Sequence, residues 1–356
     1  MTVYDYTFYD LICRNAVINR DRDCLVFHQK RISFAQFKTK VDHIAAGLNR
    51  EGVTAGDRVA VVAHNSDDYM VLYGAAAKLG LIVLTVNWRF QQEEIDYVFS
   101  DCTPKLVFAG ESFQETVATA ASKTGSVQKR FLIGPGTPGE GFTSFEALYT
   151  EEGADRQFEV DPHQGYVIIH TAAVEGHPRG ALLSQMNLIY TDLLTMLQYG
   201  LTKEDCYMGF LPLFHVAGLT QALALMHAGG KHVITERFDA AEILQLIEKE
   251  SGSIFFSFAP ILGSLMDAYE QGSYNIASLK HVAGMEGKEN IERLKKHAPQ
   301  CVFHAGFAQT EAMGVSRAPW DERPGSAGKP SVLSHVKLFD EHDNEVPVGT
   351  PGEICV

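Results

Sequence analysis

The chain has 356 residues, 46% of them apolar and 21% charged, and carries a formal net charge of −14. That length exceeds what one hydrophobic core usually serves, so a soluble globular protein of two or three packed subdomains is expected. The acidic balance argues against a nucleic-acid partner, which needs a basic face. No apolar run reaches membrane-spanning length, and the opening "MTVYDYTFYDLICRNAV" has early acids and no basic-then-apolar pattern, so a cytoplasmic protein without a signal peptide is expected.

In chain order, short apolar and β-branched runs alternate with stretches of helical period. "RVAVVAH", "KLVFAG", "RFLIG", "YVIIHT", "KHVIT", "SIFFSF", "LKHVAG" and "CVFHAG" read as buried strands. Among the helices between them, "FDAAEILQLIEKE" places Asp239 as a cap with Glu242 three residues on. The pattern predicts α/β construction, with two mainly parallel sheets flanked by helices over residues 1–330. The Gly/Pro cluster "GPGTPGEG" at 134–141 predicts an exposed loop and a subdomain edge. Residues 331–356 read as a strand, a polar turn and a second strand, the start of a small antiparallel β-subdomain. The chain then stops at Val356 on the apolar end of a strand, which reads as a truncation. Its six cysteines show no CxxC or Cys/His spacing of the zinc or disulfide kind and are expected to be reduced thiols.

Four stretches carry candidate chemistry. "HTAAVEGHPRGALLSQMNL" is an apolar strand, a loop holding Gly176, Arg179 and Gly180, and a helix from about Ser184. Such a strand-loop-helix aims backbone N–H groups at an anion. A plain connection fits equally, since neither GxxxxGK[ST] nor GxGxxG is matched. "FLPLFHVAGL" places Phe214 and His215 before a small-residue helix, and "LKHVAGMEG" and "FHAGFAQTEAMG" each end an apolar strand in a glycine turn. Strand C-terminal ends are where open α/β sheets bind ligands. Thr310 and Glu311 offer a hydroxyl and a carboxylate suited to phosphate and Mg²⁺. Taken singly, each of these stretches also fits a purely structural role.

In this order and spacing the stretches resemble the adenylate-forming, AMP-binding acyl-CoA synthetases. "GFAQTE" stands where that family has YGxTE, "GSAGKP" and "VPVGTPGEICV" where it has GxxGxP and GExxV, and Asn87-Trp88-Arg89 reproduces its Asn-x-Arg turn. The resemblance implies a ligase that uses ATP, Mg²⁺ and coenzyme A. A carboxylic acid would be activated to an acyl adenylate and then passed to the thiol. It implies Glu311 as the Mg²⁺ ligand and Thr310 at the α-phosphate. Thr171, Gly176, Arg179 and Gly180 would meet the phosphates. Gly284, Met285, Glu286, Gly306, Phe307 and Ala308 would line the adenine, and Phe214, His215 and Gly218 the acyl group, with His215 near the reacting carboxylate.

The sequence also departs from the family. Where the family writes approximately TSGTTGKPKG, this chain has TAAVEGHPRG, and Glu175 sets a carboxylate where phosphates would bind. "AGMEG" replaces a GGAP-like turn, and Ala308 replaces a glycine. The family's ribose-binding aspartate and C-terminal lid domain are absent from residues 1–356, which implies weak activity for this chain alone. No acid lies between Gly209 and Met226, so a fatty or aromatic acid is expected rather than an amino acid. A homodimer is compatible with this reading. The alternative is a non-catalytic relative with a degenerate phosphate loop, serving a binding or regulatory role. A nicotinamide enzyme would need a glycine fingerprint that "RVAVVAHNSDDY" lacks.

Overall fold

A computed structural model describes residues 5–171 and 178–356, so Gly176 and the altered loop positions 172–177 lie outside the described residues. The chain forms two compact units, Met1–Asp192 with Leu201–Phe238, and Leu193–Gly200 with Asp239–Val356. Loop 134–141 is exposed as expected. It lies within the residues of the first unit, and the strands on either side of it pair in one sheet, Phe131 beside Thr143.

The first unit contains β1 (Asp23–Phe27), β2 (Lys30–Ser33), β3 (Arg58–Val62), β4 (Ile82–Thr85), β5 (Leu106–Ala109), β6 (Lys129–Leu132), β7 (Thr143–Ser144), β8 (Gly165–Thr171), β9 (Arg179–Ser184), β10 (Cys206–Gly209) and β11 (Lys231–Ile234). Seven of them form a sheet in the order β7-β6-β5-β3-β4-β8-β9, parallel except for the β8–β9 pair. In another run β10, β11 and β1 pair in parallel and β2 returns antiparallel. The central strands are continuous apolar runs because both faces are covered. Ala60, Val62, Leu84, Val107 and Ala109 pack with Ile95, Val98, Phe99 and Cys102 of the helix Gln92–Cys102 and with Val117 and Ala120 of the helix Gln114–Thr124.

The second unit contains β12 (Ile254–Phe258), β13 (His281–Met285) and β14 (Val302–Phe307) in parallel, then β15 (Ser316–Pro319) and β16 (Lys329–Pro330) antiparallel. β17 (Lys337–Phe339) and β18 (Glu353–Cys355) form the small antiparallel pair that the C-terminal sequence predicts. The helix Ala240–Glu250 starts as expected, with the Asp239 carboxylate accepting from the Glu242 N–H at 2.9 Å. Among the described residues, no helix is long and apolar enough to cross a membrane.

The structure adds strands that the sequence reading did not name, among them β1, β2, β4 and β10, and one added strand changes the reading of a candidate site. The phosphate-loop stretch is not a strand-loop-helix, because β9 intervenes and pairs antiparallel with β8, Thr171 facing Arg179 and His170 facing Gly180. The cause is the run "RGALLS", whose Ala181 and Leu183 are buried in alternation with exposed Gly180 and Leu182, a strand pattern. Only after it does the helix Gln185–Tyr199 begin, capped where Ser184 and Asn187 exchange side-chain-to-backbone hydrogen bonds. Arg179 and Gly180 are thus strand residues, and the loop joins two antiparallel strands.

Candidate functional site

In the second unit the strand ends expected to meet an adenine are brought side by side. Gly284 of β13 stands opposite Ala305 of β14. Gly284 has φ +142°, and a Cβ there would lie 1.8 Å from the Ser257 carbonyl oxygen, so no other residue fits without moving the backbone. At Gly306 a Cβ would lie 2.6 Å from the Ser316 carbonyl oxygen. Both glycines let neighbouring strands close while their backbone stays at the sheet end. Met285 is 59% exposed, Phe307 is half-buried, and Ala308 is exposed.

Glu286 does not project outward as a free carboxylate. Its Oε1 accepts from the Ser257 hydroxyl at 2.6 Å and from the Leu262 N–H at 3.0 Å, which also ties it to the start of the helix Ile261–Gln271. Its Oε2 is buried with no hydrogen-bond partner among the described residues. A buried acceptor left open suits a ligand donor. Thr310, half-buried, and Glu311, exposed, sit in the turn between β14 and β15, held by reciprocal backbone hydrogen bonds of Gln309 and Ala312. A hydroxyl beside an exposed carboxylate is a hard-oxygen set that fits Mg²⁺.

In the first unit, the segment 210–215 is fixed by three buried side chains that sequence reasoning did not single out. The Asn65 amide donates to the Leu211 and Thr235 carbonyls at 2.9 and 3.2 Å, and its Oδ1 accepts from the Leu213 N–H at 2.8 Å. The Tyr73 hydroxyl donates to the Leu213 carbonyl and the Thr85 hydroxyl to the Phe214 carbonyl, each at 2.9 Å. A polar residue just beyond an apolar strand, as Asn65 is three residues past β3, was the available signal. Gly218 admits the loop backbone to the helix Val216–Ala228, since a Cβ there would lie 2.3 Å from the Pro212 carbonyl oxygen.

His215 caps that helix, its Nδ1 accepting from the Ala217 N–H at 3.1 Å. The protein packed around it, and second the Arg89 guanidinium, lower its pKa although part of its surface is exposed. A neutral imidazole whose Nδ1 is the acceptor carries its proton on Nε2. His215 therefore presents an N–H donor. Phe214 is buried and meets Trp88 edge-on with ring centroids 6.3 Å apart; Trp88 in turn packs edge-on against His64 at 4.6 Å and carries Arg89 over its face at 4.2 Å. The Asn87 side chain accepts from the Arg89 N–H at 3.0 Å and shapes that turn. Thr171 ends β8, its hydroxyl donating to the Arg179 carbonyl at 3.4 Å, and Arg179 and Gly180 are exposed.

The sequence model of the family described as AMP-binding enzyme matches residues 13–356. Among curated proteins, the indoleacetate–CoA ligase of Aromatoleum aromaticum is 26% identical over 353 residues, which cover 97% of this chain and 69% of that one. Among solved structures, a Rhodopseudomonas palustris protein provisionally named a long-chain-fatty-acid CoA ligase is 37% identical with TM-score 0.91, covering 99% of this chain and 88% of its own. The anthranilate CoA ligase AuaEII, solved with anthranoyl-AMP, shares the fold at TM-score 0.92 with 20% identity, covering 99% of this chain and 70% of its own. The chain spans about two thirds of the length of the curated relatives it matches.

Proposed function

The chain belongs to the AMP-binding enzyme family, and from that premise we propose that it is the nucleotide- and acid-binding part of an AMP-forming acyl-CoA synthetase acting on an aromatic or fatty carboxylic acid. The observations that support the reading are the two strand-end glycines, Gly284 and Gly306, and the buried Oε2 of Glu286, which has no hydrogen-bond partner among the described residues. An adenine amino group is a donor of the kind Glu286 lacks. The six free cysteines accord with a cytoplasmic setting.

In this reading an oxygen of the acid attacks the α-phosphorus of ATP, the bond to pyrophosphate breaks, and an acyl adenylate forms. The sulfur of coenzyme A then attacks the acyl carbon and AMP leaves. Such a reaction needs charge neutralisation and positioning more than covalent help. The His215 Nε2–H holds the carboxylate by donating to it, and the Phe214–Trp88 surface suits an apolar acyl group. Thr310 donates to the α-phosphate. Thr171, Gly176, Arg179 and Gly180 contact the outer phosphates. Mg²⁺, when bound, neutralises phosphate charge, and Glu311 is the residue to hold it.

The test is the thermal midpoint of the chain with saturating Mg-ATP and, separately, with a non-hydrolysable acyl-AMP mimic carrying an aryl or a fatty acyl group. A ligand at a hundred times its dissociation constant stabilises by about 2.7 kcal/mol, a readable shift. A shift with the mimic that Glu311→Gln leaves in place and His215→Ala removes supports the acyl-adenylate reading. A shift with neither ligand refutes the nucleotide site. A shift with the mimic and none with Mg-ATP points to a relative whose loop at 172–177 no longer accepts the outer phosphates.

A further inference from the structure

Away from the strand ends of the second unit, two adjacent side chains and a third far along the chain converge inside the first. The helix Gln92–Cys102 ends on Asp101 and Cys102, and β8 carries His170 as its penultimate residue. A carboxylate oxygen of Asp101, the Sγ of Cys102 and a ring nitrogen of His170 all lie within 4.8 Å of one another. Asp101 Oδ2 is 3.7 Å from His170 Nε2 and 3.8 Å from Cys102 Sγ. The first distance is too long for an N–H···O hydrogen bond. Both are close to the edge of a zinc tetrahedron, where bonds of about 2.0–2.3 Å set neighbouring ligands roughly 3.3–3.8 Å apart.

His170 supplies an independent observation. Its side chain is 1% exposed, and neither ring nitrogen has a hydrogen-bond partner among the described residues. An imidazole buried in that state pays a desolvation cost that no hydrogen bond from the described residues returns, the Asp101 carboxylate at 3.7 Å offsetting it only in part. Opposite it in register stands Gly180, where a Cβ would come within 3.3 Å of Nε2. His232 is also buried without a hydrogen-bond partner among the described residues, but its ring packs on Tyr207 at 5.1 Å. Among the described residues, Asp101, Cys102 and His170 are the one group of three metal-ligating side chains within reach of a shared ion.

We propose that Asp101, Cys102 and His170 bind a zinc ion, with water as the fourth ligand. Thiolate, imidazole and carboxylate together select a borderline-soft metal over Mg²⁺ or Ca²⁺. Binding breaks the Cys102 S–H bond, releases that proton to solvent and forms a Zn–S bond. Asp101, 48% exposed on its side chain, leaves the site open to solvent. The nearby Arg58 guanidinium is engaged by the backbone, donating to the Cys102 carbonyl at 2.7 Å and the Thr103 carbonyl at 3.3 Å, which fixes the helix end that carries two of the ligands. The metal ties that helix to β8 at the residue before Thr171, the stem of the loop at 172–177. The site stands independently of the nucleotide reading, since none of its ligands is placed at phosphate, adenine or acyl group.

The chain freed of metal with a chelator is titrated with Zn²⁺ against a metal-indicator dye, and with Co²⁺ while the optical spectrum is recorded, nucleotide being absent throughout. The expected result is one metal per chain, tetrahedral ligand-field bands and a thiolate-to-cobalt charge-transfer band. Cys102→Ser should abolish that charge-transfer band. Asp101→Asn, at an exposed position that leaves the core intact, should weaken Zn²⁺ at least about tenfold, the loss seen for even an outer-shell partner. Zn²⁺ should also raise the thermal midpoint of the parent chain and not that of Asp101→Asn. Absence of stoichiometric binding overturns the proposal. So does an unchanged affinity and spectrum in both variants, which would place the metal on the half-exposed thiols Cys13 or Cys355.

Discussion

Two strands lead into the loops expected to grip a nucleotide, and each carries a buried histidine shortly before its loop. On β14, His304 Nε2 lies 3.2 Å from His281 Nδ1, and its ring meets Tyr199 edge-on at 4.8 Å, with Arg317 over the Tyr199 face at 4.9 Å. On β8, His170 has neither a hydrogen-bond partner nor such a nest among the described residues. Burial lowers the pKa of both, that of His304 to about 3 with help from the His281 and Arg317 charges, while the Asp101 carboxylate partly opposes the shift at His170. Both rings are therefore neutral near pH 7. The difference is that the second unit satisfies its imidazole internally, whereas the first leaves one facing an acid and a thiol.

The loops after these strands differ in the same sense. Around β13 and β14 the departures from the family pattern are absorbed, because the geometry rests on backbone and on glycines 284 and 306, and the acid at 286 is turned onto Ser257 and the Leu262 N–H. After β8 the departures put Ala172, Ala173, Val174 and Glu175 where the family has small and hydroxyl residues, at positions outside the described residues.

The largest break in this contrast is expected from Gly284→Ala. The left-handed φ alone costs on the order of 1–3 kcal/mol, and the Cβ would meet a strand carbonyl at 1.8 Å. Urea unfolding should show a loss of more than about 2 kcal/mol, and a loss under about 0.5 kcal/mol would mean that the β12–β13 contact is soft. Next, His304→Gln should flatten the acid limb of stability. The folded pKa of about 3 lies below the ordinary histidine value of about 6.5, so the unfolded chain binds a proton that the folded one refuses between those limits. Stability is fully present above the ordinary value and falls as pH drops toward 3, by up to about 1.4 kcal/mol per pH unit. An unchanged slope between pH 6.5 and 4 in the variant would show that His304 is not the neutral partner. The smallest effect belongs to the other loop. Removing the Glu175 charge with Glu175→Thr should tighten Mg-ATP about fivefold by titration calorimetry, since a like charge nearby is worth roughly 1 kcal/mol in water. No change would mean that this side chain does not meet the phosphates.

Much of the architecture was legible because strand and helix periods are local properties. Apolar runs such as "RVAVV" and "IFFSF" became the buried strands β3 and β12, and Asp239 capped the helix it precedes. β9 was missed because "RGALLS" is short and follows a glycine-bearing loop that resembles a helix lead-in. The support of His215 by Asn65, Tyr73 and Thr85 was missed because a buried polar side chain reveals its partners only when a distant backbone reaches it.

The sequence by itself determined the α/β class, many of the buried strands and the family, since motif spacing and hydrophobic period survive in a linear string. Tertiary structure alone decided which nitrogen of His215 carries the proton, where the Glu286 carboxylate points and that Cys102 meets His170. Spacing rules for metal ligands look along the chain and found no Cys/His pattern here. Packing the helix Gln92–Cys102 across the sheet brings its last two residues to the end of β8, and that proximity comes from burying Ile95, Val98 and Phe99 against the strands.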